Sequence, residues 1–401
     1  MAANTAHTAI ASWQNFCAAL SDAGTEILET EIRARTPEQH IEVETLLLRM
    51  LIFGSLAISE LDADHPDWLP IMNSTMRSPN PNPDTVYHFC SIRGEGRYRI
   101  RGDRGSSLLM HMQIFRRCPG FHDSADTLSD TNLDDLPRGE DGGIDILLSE
   151  SRPDEYEGAW LPLDETVDIL YLVVRQVSYD WSAETGARLA IERLDAPIRK
   201  GRTNASDFYQ RLQEIPLYVR RMGQMVGRML AAQSAVKQHP NQMLDVSRKF
   251  SDVPIIATQA YSQGEFVLKD SEAAILEFTA PRDCPYWNLQ LMDSFYNALN
   301  YSYAQTGISG GDARVDHDGK VRVVISRRDV GAPNWLDKMD YDEVSLRGRW
   351  FACETPDTTT TIVPVDDVFD HLPEGTPVIS DEARSTALRR RSQGAQLRRR
   401  W

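Results

Sequence analysis

The sequence is poor in cysteine and has no long hydrophobic run. Its cysteines are widely spaced and include no Cys-x-x-Cys pair: Cys17, Cys90, Cys118, Cys284 and Cys353. This usage favours free thiols over a disulfide framework or a zinc site. No window reaches the ~18 apolar residues of a membrane-spanning helix. The N-terminal MAANTAHTAIASWQ lacks the basic start and apolar core of a signal peptide. We therefore expect a cytoplasmic protein with no membrane partner.

Positive charge is also scarce over most of the chain. Lys and Arg number 43 against 59 Asp and Glu, which gives a formal net charge of -16. Phosphate affinity depends on Lys and Arg, so this balance argues against nucleic-acid partners and favours neutral or cationic ligands. The C-terminal ALRRRSQGAQLRRRW is the exception. We expect this basic tail to dock on the acidic surface of a neighbouring subunit in a homo-oligomer.

Most signatures of cofactor and metal sites are missing. Gly94-x-Gly96 lacks the third glycine and the following helix of a dinucleotide site, and no phosphate loop or His-Glu-x-x-His motif occurs. The nine histidines include no pair at metal-ligand spacing. The string at residues 307–311, GISGG, matches a nucleophile elbow, but an Asp-Gly hairpin follows it where that motif needs a helix. We expect no cofactor and no metal, although dispersed ligands that meet in space are not excluded.

Two kinds of hydrophobic periodicity are present. Helical spacing runs from Ile10 to Leu61, with a Thr36-Pro-Glu cap, and returns in SAETGARLAIERLDAP, capped by Ser182, and over residues 208–236. Alternating strand patterns bounded by glycine occupy residues 85–177 and resume from Ala273. We predict an α+β fold: two antiparallel β-sandwich or open-barrel modules of similar topology, with a helical N-terminal region and helical inserts between them.

The composition shifts place the domain boundaries. We expect the helical N-terminal region at residues 1–68, the first β module at 69–181, the helical connection at 182–250, the second β module at 251–370 and the basic tail at 371–401. Each β module is long enough to bury its own core.

An internal repeat relates the two β modules. Three features recur in the same order: MHMQI at 110–114 and WNLQL at 287–291; Asp-Gly at 141–142 and at 318–319; Trp-Leu at 160–161 and at 335–336. Each Trp-Leu pair precedes a strand that carries arginine, Arg175 in the first module and Arg347 and Arg349 in the second. Short strand patterns also recur by chance, but three ordered matches predict modules of like topology with Asp-Gly hairpin turns.

Several of these segments resemble a known family. They are NPDTVY, GRYRIRG, GAWLPL, VVRQVSYDW and IERLD in the first half, and YWNLQL, DHDGKVRVV and GAPNWLD in the second. Over roughly residues 70–352 the chain resembles the bacterial two-part domain-of-unknown-function family twelve-fourteen. The resemblance implies a β-rich fold of two modules with helical inserts and a tendency to oligomerise. It implies no established reaction.

Polar side chains on the predicted strands are candidate catalytic groups. Without a cofactor loop, proton transfer and electrostatic stabilisation remain available. His111 and Gln113 share one face of their strand, and Asn288 and Gln290 share a face in the second module. His111 is the catalytic candidate because histidine titrates near neutrality and the second module has asparagine at the matching position. The alternatives are a hydrogen-bonded core histidine and, for both glutamines, ties between strands.

The segment SPNPNPDTVYHFC presents further polar groups. Its prolines hold the chain extended, so Asn82, Asp84, Tyr87 and His88 either line the rim of a site or form Asx turns of a stiff loop. Arg175 closes an apolar strand and needs an anionic partner when buried. We expect that partner to be an internal carboxylate, with a substrate oxyanion as the alternative, and we interpret the arginines of the matching strand in the same way.

These features lead to a functional hypothesis. We predict a cofactor-independent acid/base enzyme, a lyase that releases water or a small carbonyl fragment such as formaldehyde from a hydroxylated, apolar or aromatic small molecule. The catalytic candidates are His111, Tyr87, Asp84 and Arg175, and the substrate-binding candidates are Asn82, His88, Gln113, Asn288, Gln290 and Tyr301. The alternatives are a non-catalytic β-sandwich that binds glycan or protein, and a glycan hydrolase with two carboxylates roughly 5–10 Å apart. An enclosed apolar cavity would favour the lyase, although the Met and aromatic residues near Tyr301 also suit a simple core.

Overall fold

The computed structural model describes residues 2–247 and 258–398. Its four α-helices are α1 (Ala2–Glu26), continued by a π-helical turn at Ile27–Glu31, then α2 (Pro37–Ser59), α3 (Ala205–Lys237) and α4 (Asp381–Leu397). Short 3-10 turns lie at Leu133–Asp135 and Val365–His371. Within the described ranges, none of the helices has both the length and the apolarity that crossing a bilayer requires.

Eighteen strands lie in the described part of the chain. The first nine are β1 (Leu69–Ile71), β2 (Thr85–Arg93), β3 (Tyr98–Asp103), β4 (Leu109–Arg117), β5 (Asp126–Asn132), β6 (Ile144–Ser149), β7 (Ala159–Pro162), β8 (Ile169–Val177) and β9 (Arg188–Arg193). The second nine are β10 (Met243–Asp245), β11 (Gln259–Val267), β12 (Glu272–Thr279), β13 (Tyr286–Met292), β14 (Gly307–Ser309), β15 (Lys320–Ser326), β16 (Trp335–Asp337), β17 (Glu343–Phe351) and β18 (Thr358–Pro364).

The two sets of strands have the same topology. In the first module the sheets have the orders β1-β2-β8-β4-β5 and β7-β6-β3-β9; in the second they are β10-β11-β17-β13-β14 and β16-β15-β12-β18. Adding nine to every strand number of the first module gives the second. The predicted repeat is therefore confirmed, and MHMQI and WNLQL occupy the equivalent strands β4 and β13.

The sheets are open, and each module contains one parallel pair. β6 pairs in parallel with β7, and β15 with β16, while the other strand pairs are antiparallel. The Asp-Gly dipeptides stand in the turns before β6 and β15, where Gly142 and Gly319 both have φ of 79°. Glycine adopts this conformation without a steric penalty, which explains why the two turns share it.

Each module is a sandwich with its own apolar core. Ile100 and Ile146 of one sheet pack against Met112 and Leu172 of the other in the first module. Phe278 packs similarly near Trp350 in the second. Each such side chain contributes roughly 1.5–3 kcal/mol when fully buried. The opposite faces of the two five-stranded sheets are free to contact the helices and each other.

The helices cover those opposite faces. The Thr36 side chain accepts a hydrogen bond from the Gln39 amide and begins α2 as predicted. α2 packs closely on α3, because a Cβ on Gly54 would lie 2.5 Å from Cδ1 of Tyr218. The methionines of α3, including Met225, join Tyr261 of β11 in one apolar cluster. The helical layer is therefore continuous with the sheet face of the second module.

Residues 188–193 form a strand where a helix was predicted. The exposed residues Arg188, Ala190 and Glu192 alternate with the half-buried Leu189 and Ile191. This two-residue period suits the edge strand β9, which pairs with β3. The helix prediction there is wrong, because pairing with a strand about ninety residues away outweighs the local helical spacing.

Two cysteines form a disulfide, contrary to the expectation of five free thiols. Cys284 and Cys353 are bonded, with their Cα atoms 5.2 Å apart and a sequence separation of 69. They flank the paired residues Tyr286 and Phe351 of β13 and β17. The expectation was wrong for this pair because only the folded sheet brings the two residues together. The cytoplasmic location inferred from free thiols loses this support.

The basic C-terminal segment docks on its own chain. Arg391 lies 4.3 Å above the ring of Trp181, and its Nε donates to the Tyr301 carbonyl at 2.7 Å. Arg398 donates to the backbone oxygens of Pro83 at 3.1 Å and Asp84 at 2.7 Å. For these arginines the contact is therefore intramolecular, where docking on a neighbouring subunit was expected.

Candidate functional site

A chamber of about 200 Å³ lies between the helical layer and the two five-stranded sheets. It is lined by α2 and α3, by the proline-rich loop before β2, by β2, β4 and β8 of the first module and by β11 and β17 of the second. Both modules and both helices thus contribute walls. An apolar cavity of about 150 Å³ is enough to hold benzene in another protein, so this chamber has room for a small organic molecule.

Most of the chamber wall is apolar. Its methionine and aromatic residues are Met50, Phe53, Met72, Met76, Tyr87, Phe89, Phe115, Tyr218, Met222, Met225, Met229 and Tyr261. Methionine and aromatic side chains adapt to flat or irregular apolar groups. Burial raises the pKa of the Cys118 thiol, which also lines the wall, to about 12. That thiol is therefore a neutral part of the apolar surface.

The charged side chains of the chamber are all arginines. Arg49, Arg175, Arg347 and Arg349 line it, and no Asp, Glu, Lys or His does so among the described residues. The chain as a whole carries a formal charge of -16, so the local charge is opposite to the global charge. The preference for neutral or cationic ligands, inferred from composition, therefore does not hold at this site.

Arg175 is held by a neutral partner. It is 9% exposed, donates from Nη1 to the Gln113 side-chain oxygen and lies 6.0 Å above the ring of Tyr87. The internal carboxylate predicted for it is missing among the described residues, where no ion pair of Arg175 occurs. In the sheet register Arg175 stands directly between Tyr87 and His111. These three side chains therefore form a row across β2, β8 and β4 on one face.

The second module repeats this row. Arg349 of β17 stands between Tyr261 of β11 and Asn288 of β13. Its Nη2 donates to the side chain and backbone of Asn80 at 2.8 and 3.0 Å and to the Pro81 carbonyl at 3.1 Å. Its Nη1 is buried and has no hydrogen-bond partner among the described residues. Tyr-Arg-His in one module thus corresponds to Tyr-Arg-Asn in the other.

A further arginine lies one step along the same face of the second sheet. Arg347 is fully buried, 5.9 Å from the centre of the Tyr261 ring and 5.6 Å from that of Tyr296. Burial, reinforced by the like charge of Arg349, lowers the pKa of Arg347 to about 10. Burial raises the pKa of Tyr261, while the positive charges of Arg349, Arg175 and Arg347 oppose the rise. The three guanidinium groups therefore act on one phenol.

The proline-rich loop is fixed by a buried polar network. The hydroxyl of Tyr286 donates to Asp84 at 2.8 Å and accepts from the side-chain amide of Asn82 at 2.9 Å, with the Asn82 oxygen 3.0 Å away. The side-chain amide of Asn288 donates to Asn82 at 2.8 Å and to Asp84 at 3.1 Å. Asp84 also accepts from the indole of Trp181 at 2.9 Å. The loop of the first module is therefore joined to β13 of the second, at the floor of the chamber.

Seven of the ten predicted site residues fall into three groups in or near the chamber. Tyr87, Arg175 and Asn82 line the chamber. Asp84 and Asn288 lie in the buried network next to Asn82. His111 and Gln113 share the face of Arg175 without lining the chamber, and both side chains contact Asp130. The Nδ1 of His111 lies 3.0 Å from an Asp130 oxygen, while its buried Nε2 has no hydrogen-bond partner in the described structure.

The remaining candidates lie elsewhere. His88 points to the other face of β2, where its ring is 3.3 Å from the Gln176 amide. Gln290 donates to the Leu291 carbonyl and the Thr306 hydroxyl, at 2.6 and 3.2 Å, and ties strands together. Tyr301 packs edge-on against Trp181 under α4. None of the three lines the chamber.

Sequence reasoning missed part of the chamber. Arg49 of α2 and Tyr261 of β11 were not singled out, and Arg349 was interpreted as half of a salt bridge. The internal repeat contained the necessary signal, since the arginine of β8 and those of β17 occupy equivalent strands. The strand β11 itself, QAYSQGEFV, is too polar to be recognised as a central strand by hydrophobic alternation.

Comparison with known proteins gives a solved structure of similar fold and a family match over part of the chain. No curated protein matches the sequence. The crystal structure of an uncharacterized protein from Burkholderia cenocepacia has a TM-score of 0.80 and 23% identity, covering 88% of this chain and 97% of that one. The VPA0106 protein from Vibrio parahaemolyticus has a TM-score of 0.47 and 10% identity, covering 79% and 96%. The Burkholderia likeness shows the fold alone.

The family match lies in the first module. Residues 120–178 match the model described as a protein of unknown function, DUF1214, and this segment contains β5, β6, β7 and β8 with Arg175. The match is shorter than the resemblance inferred from the sequence, and it falls inside it. Residues 120–178 are therefore similar to the DUF1214 family, which is the family that the sequence resembles.

Proposed function

We propose that the protein binds a small organic anion with an apolar body in this chamber and acts on it as a cofactor-independent acid/base enzyme. One observation carries the proposal: four arginines, and no carboxylate among the described residues, line an otherwise apolar wall. Removing a guanidinium group from water is unfavourable unless an anion and hydrogen bonds compensate it. A ligand that carries a carboxylate or a similar group supplies that anion.

The reaction we propose is that of a lyase, with Tyr87 as the proton-transfer group. The Tyr87 oxygen accepts a hydrogen bond from the backbone amide of Asn82 at 2.9 Å, which leaves its proton free to point elsewhere. In a dehydration this proton passes to the departing hydroxyl group as the C–O bond breaks. The phenolate then takes the neighbouring C–H proton, and the C–H electron pair forms the new C=C bond. Arg175, beside the ring, stabilises the developing negative charge.

His111 has a different position in this proposal. Its ring contacts Asp130 and the edge of Phe351, with ring centres 5.2 Å apart, and it does not line the chamber. We therefore assign proton transfer to Tyr87 and leave His111 as a neighbour of Arg175 in the strand row. The glycan hydrolase alternative needs two facing carboxylates, and the described lining of the chamber offers none.

Binding is tested by calorimetry with a matched pair of probes, 4-phenylbutyrate and 4-phenylbutanol. The anion is expected to bind about tenfold or more tightly than the alcohol, since a charge-assisted hydrogen bond contributes roughly 1.5–3 kcal/mol. Arg175→Gln should reduce this difference. The control is Arg101→Gln, a strand arginine that is 54% exposed. Equal affinity for both probes, or no binding of either, would contradict the binding proposal.

Catalysis is tested separately with a hydroxy acid. We expect 3-hydroxy-3-phenylpropanoate to lose water and give cinnamate, followed by its ultraviolet absorbance. Tyr87→Phe should lower the rate about 10²-fold or more while retaining binding, because general acid/base catalysis contributes about that much. Turnover that is unchanged in Tyr87→Phe would exclude Tyr87 as the proton-transfer group.

A further inference from the structure

The two repeat-related arginines point to the charge of the ligand, an inference that rests on the proposed function. Tyr87 pairs with Arg175 in the register of β2 and β8, and Tyr261 pairs with Arg349 in the register of β11 and β17. All four side chains line the chamber. The internal repeat thus gives the chamber two equivalent Tyr-Arg arms, one from each module.

The two arms approach the same part of the chamber. The phenol of Tyr261 is influenced electrostatically by Arg349 of its own arm and by both Arg175 and Tyr87 of the other. Both arms line a single cavity of only about 200 Å³. A small group bound in a cavity of this size therefore lies next to both arms.

Neither arginine is neutralised within the described chain. Arg175 contacts the Gln113 side-chain oxygen and the Tyr87 ring, and Arg349 contacts the Asn80 and Pro81 oxygens. All of these are neutral. Arg349 is 3% exposed, and its Nη1 is a buried donor without an acceptor. A buried donor of this kind needs a partner, and Arg349 lines the chamber, where a ligand can supply one.

We propose that the ligand carries a head group with two negative charges, held between Arg175 and Arg349, with its apolar body directed toward the methionines of α3. Two buried cations without counter-charges are best matched by two negative charges. A phosphate monoester and a malonate-type dicarboxylate share this chemistry, as each presents several acceptor oxygens within a few ångströms. A bidentate contact with each guanidinium group adds geometric specificity.

The test compares three probes with the same phenylpropyl tail: 4-phenylbutyrate, (3-phenylpropyl)malonate and 3-phenylpropyl phosphate. Calorimetry is done on the wild-type full chain at pH 8, where the last two are dianions. At least one dianion should bind about tenfold or more tightly than the monoanion, as expected for one added charge-assisted contact. A preference for the malonate or for the phosphate identifies which source of the dianion the site accepts.

The variants Arg175→Gln and Arg349→Gln should each reduce the dianion preference to less than about threefold while the monoanion still binds, since one arm remains. Arg101→Gln should retain the full preference. If the monoanion binds to the wild type and neither dianion binds more tightly, this inference is overturned and the proposed function stands. If no anion binds, both are overturned. The wild-type comparison decides the question even where a variant fails to fold.

Discussion

Replacing Asp84 by alanine is expected to destabilise the protein strongly, because this carboxylate joins the two modules. Asp84 is 4% exposed and accepts hydrogen bonds from Trp181, Tyr286 and Asn288. The last two donors also have the Asn82 oxygen within hydrogen-bond distance. Among the described residues, Asp84 is the only hydrogen-bond acceptor of the Trp181 indole. The substitution therefore leaves one buried donor unpaired and weakens two others.

The magnitude follows from these contacts. An unpaired buried donor costs about 1–3 kcal/mol, and loss of hydrogen bonds to a charged acceptor adds about 1.5–3 kcal/mol. Asp84 is also the main opposing charge near the buried guanidinium groups of Arg391 and Arg398. We expect Asp84→Ala to lower the free energy of unfolding by about 3–5 kcal/mol, in the range measured when a buried charge loses its partner.

Urea unfolding followed by tryptophan fluorescence measures the effect, and Trp181 reports on the same network. Asp84→Asn retains the size of the side chain and one acceptor oxygen, so this variant should lose less stability, about 1–3 kcal/mol. The matched control is Asp366→Ala, which removes an 80% exposed carboxylate that pairs with Arg328. It should change the stability by less than about 1 kcal/mol. If Asp84→Ala and Asp366→Ala are equally mild, the network does not hold the modules together.

Three further predictions concern other parts of the molecule. Burial raises the pKa of Glu42 from 4.5 to about 8 and that of Asp293 from 3.8 to about 6, so the folded state binds more protons than the unfolded state between these values. Stability should therefore fall as pH rises from about 4 to about 8, and Glu42→Gln should flatten that decline in the urea midpoint. When the denatured, unreduced protein is alkylated, mass spectrometry should show that three of its five cysteines are modified. Reduction of the Cys284–Cys353 disulfide should lower the free energy of unfolding by up to about 4 kcal/mol for a loop of this length. Deleting residues 381–401 should shift Trp181 fluorescence to the red without changing the number of subunits measured by light scattering, since the α4 arginines contact this chain; a smaller number of subunits would support the subunit-docking hypothesis.

The predictable part of the fold is the part in which local pattern and tertiary environment agree. β8 and β15 are apolar strands between glycine-bounded turns, and α2 begins with a Thr-Pro cap, so all three were recognised. A helix was predicted at β9 because the spacing of its apolar residues fits both the helical and the strand period. Its strand conformation depends on pairing with β3, and a short window of sequence does not contain that partner.

The candidate site was harder to predict for a related reason. Hydrophobic alternation locates faces that are buried in an apolar core, whereas the face of β11 that includes Tyr261 also carries Gln259, Gln263 and Glu265, which are buried and polar. Such a face is stable because polar partners lie beside it: Arg347 pairs with Gln263 in the register, and Glu265 accepts from Gln233 and Ser345. Polar side chains that find their partners on distant segments produce no hydrophobic periodicity in the sequence. The comparison between the two modules was the sequence feature that pointed to them.

The repeated topology makes this chain equivalent to a two-fold dimer fused into one polypeptide. In a true homodimer every substitution appears twice across the axis, so both halves of a central site must change together. Fusion removes that constraint. The strand row ends in His111 in the first module and in Asn288 in the second. One module can therefore carry an ionisable ring at this position while the other carries an amide that anchors the neighbouring loop.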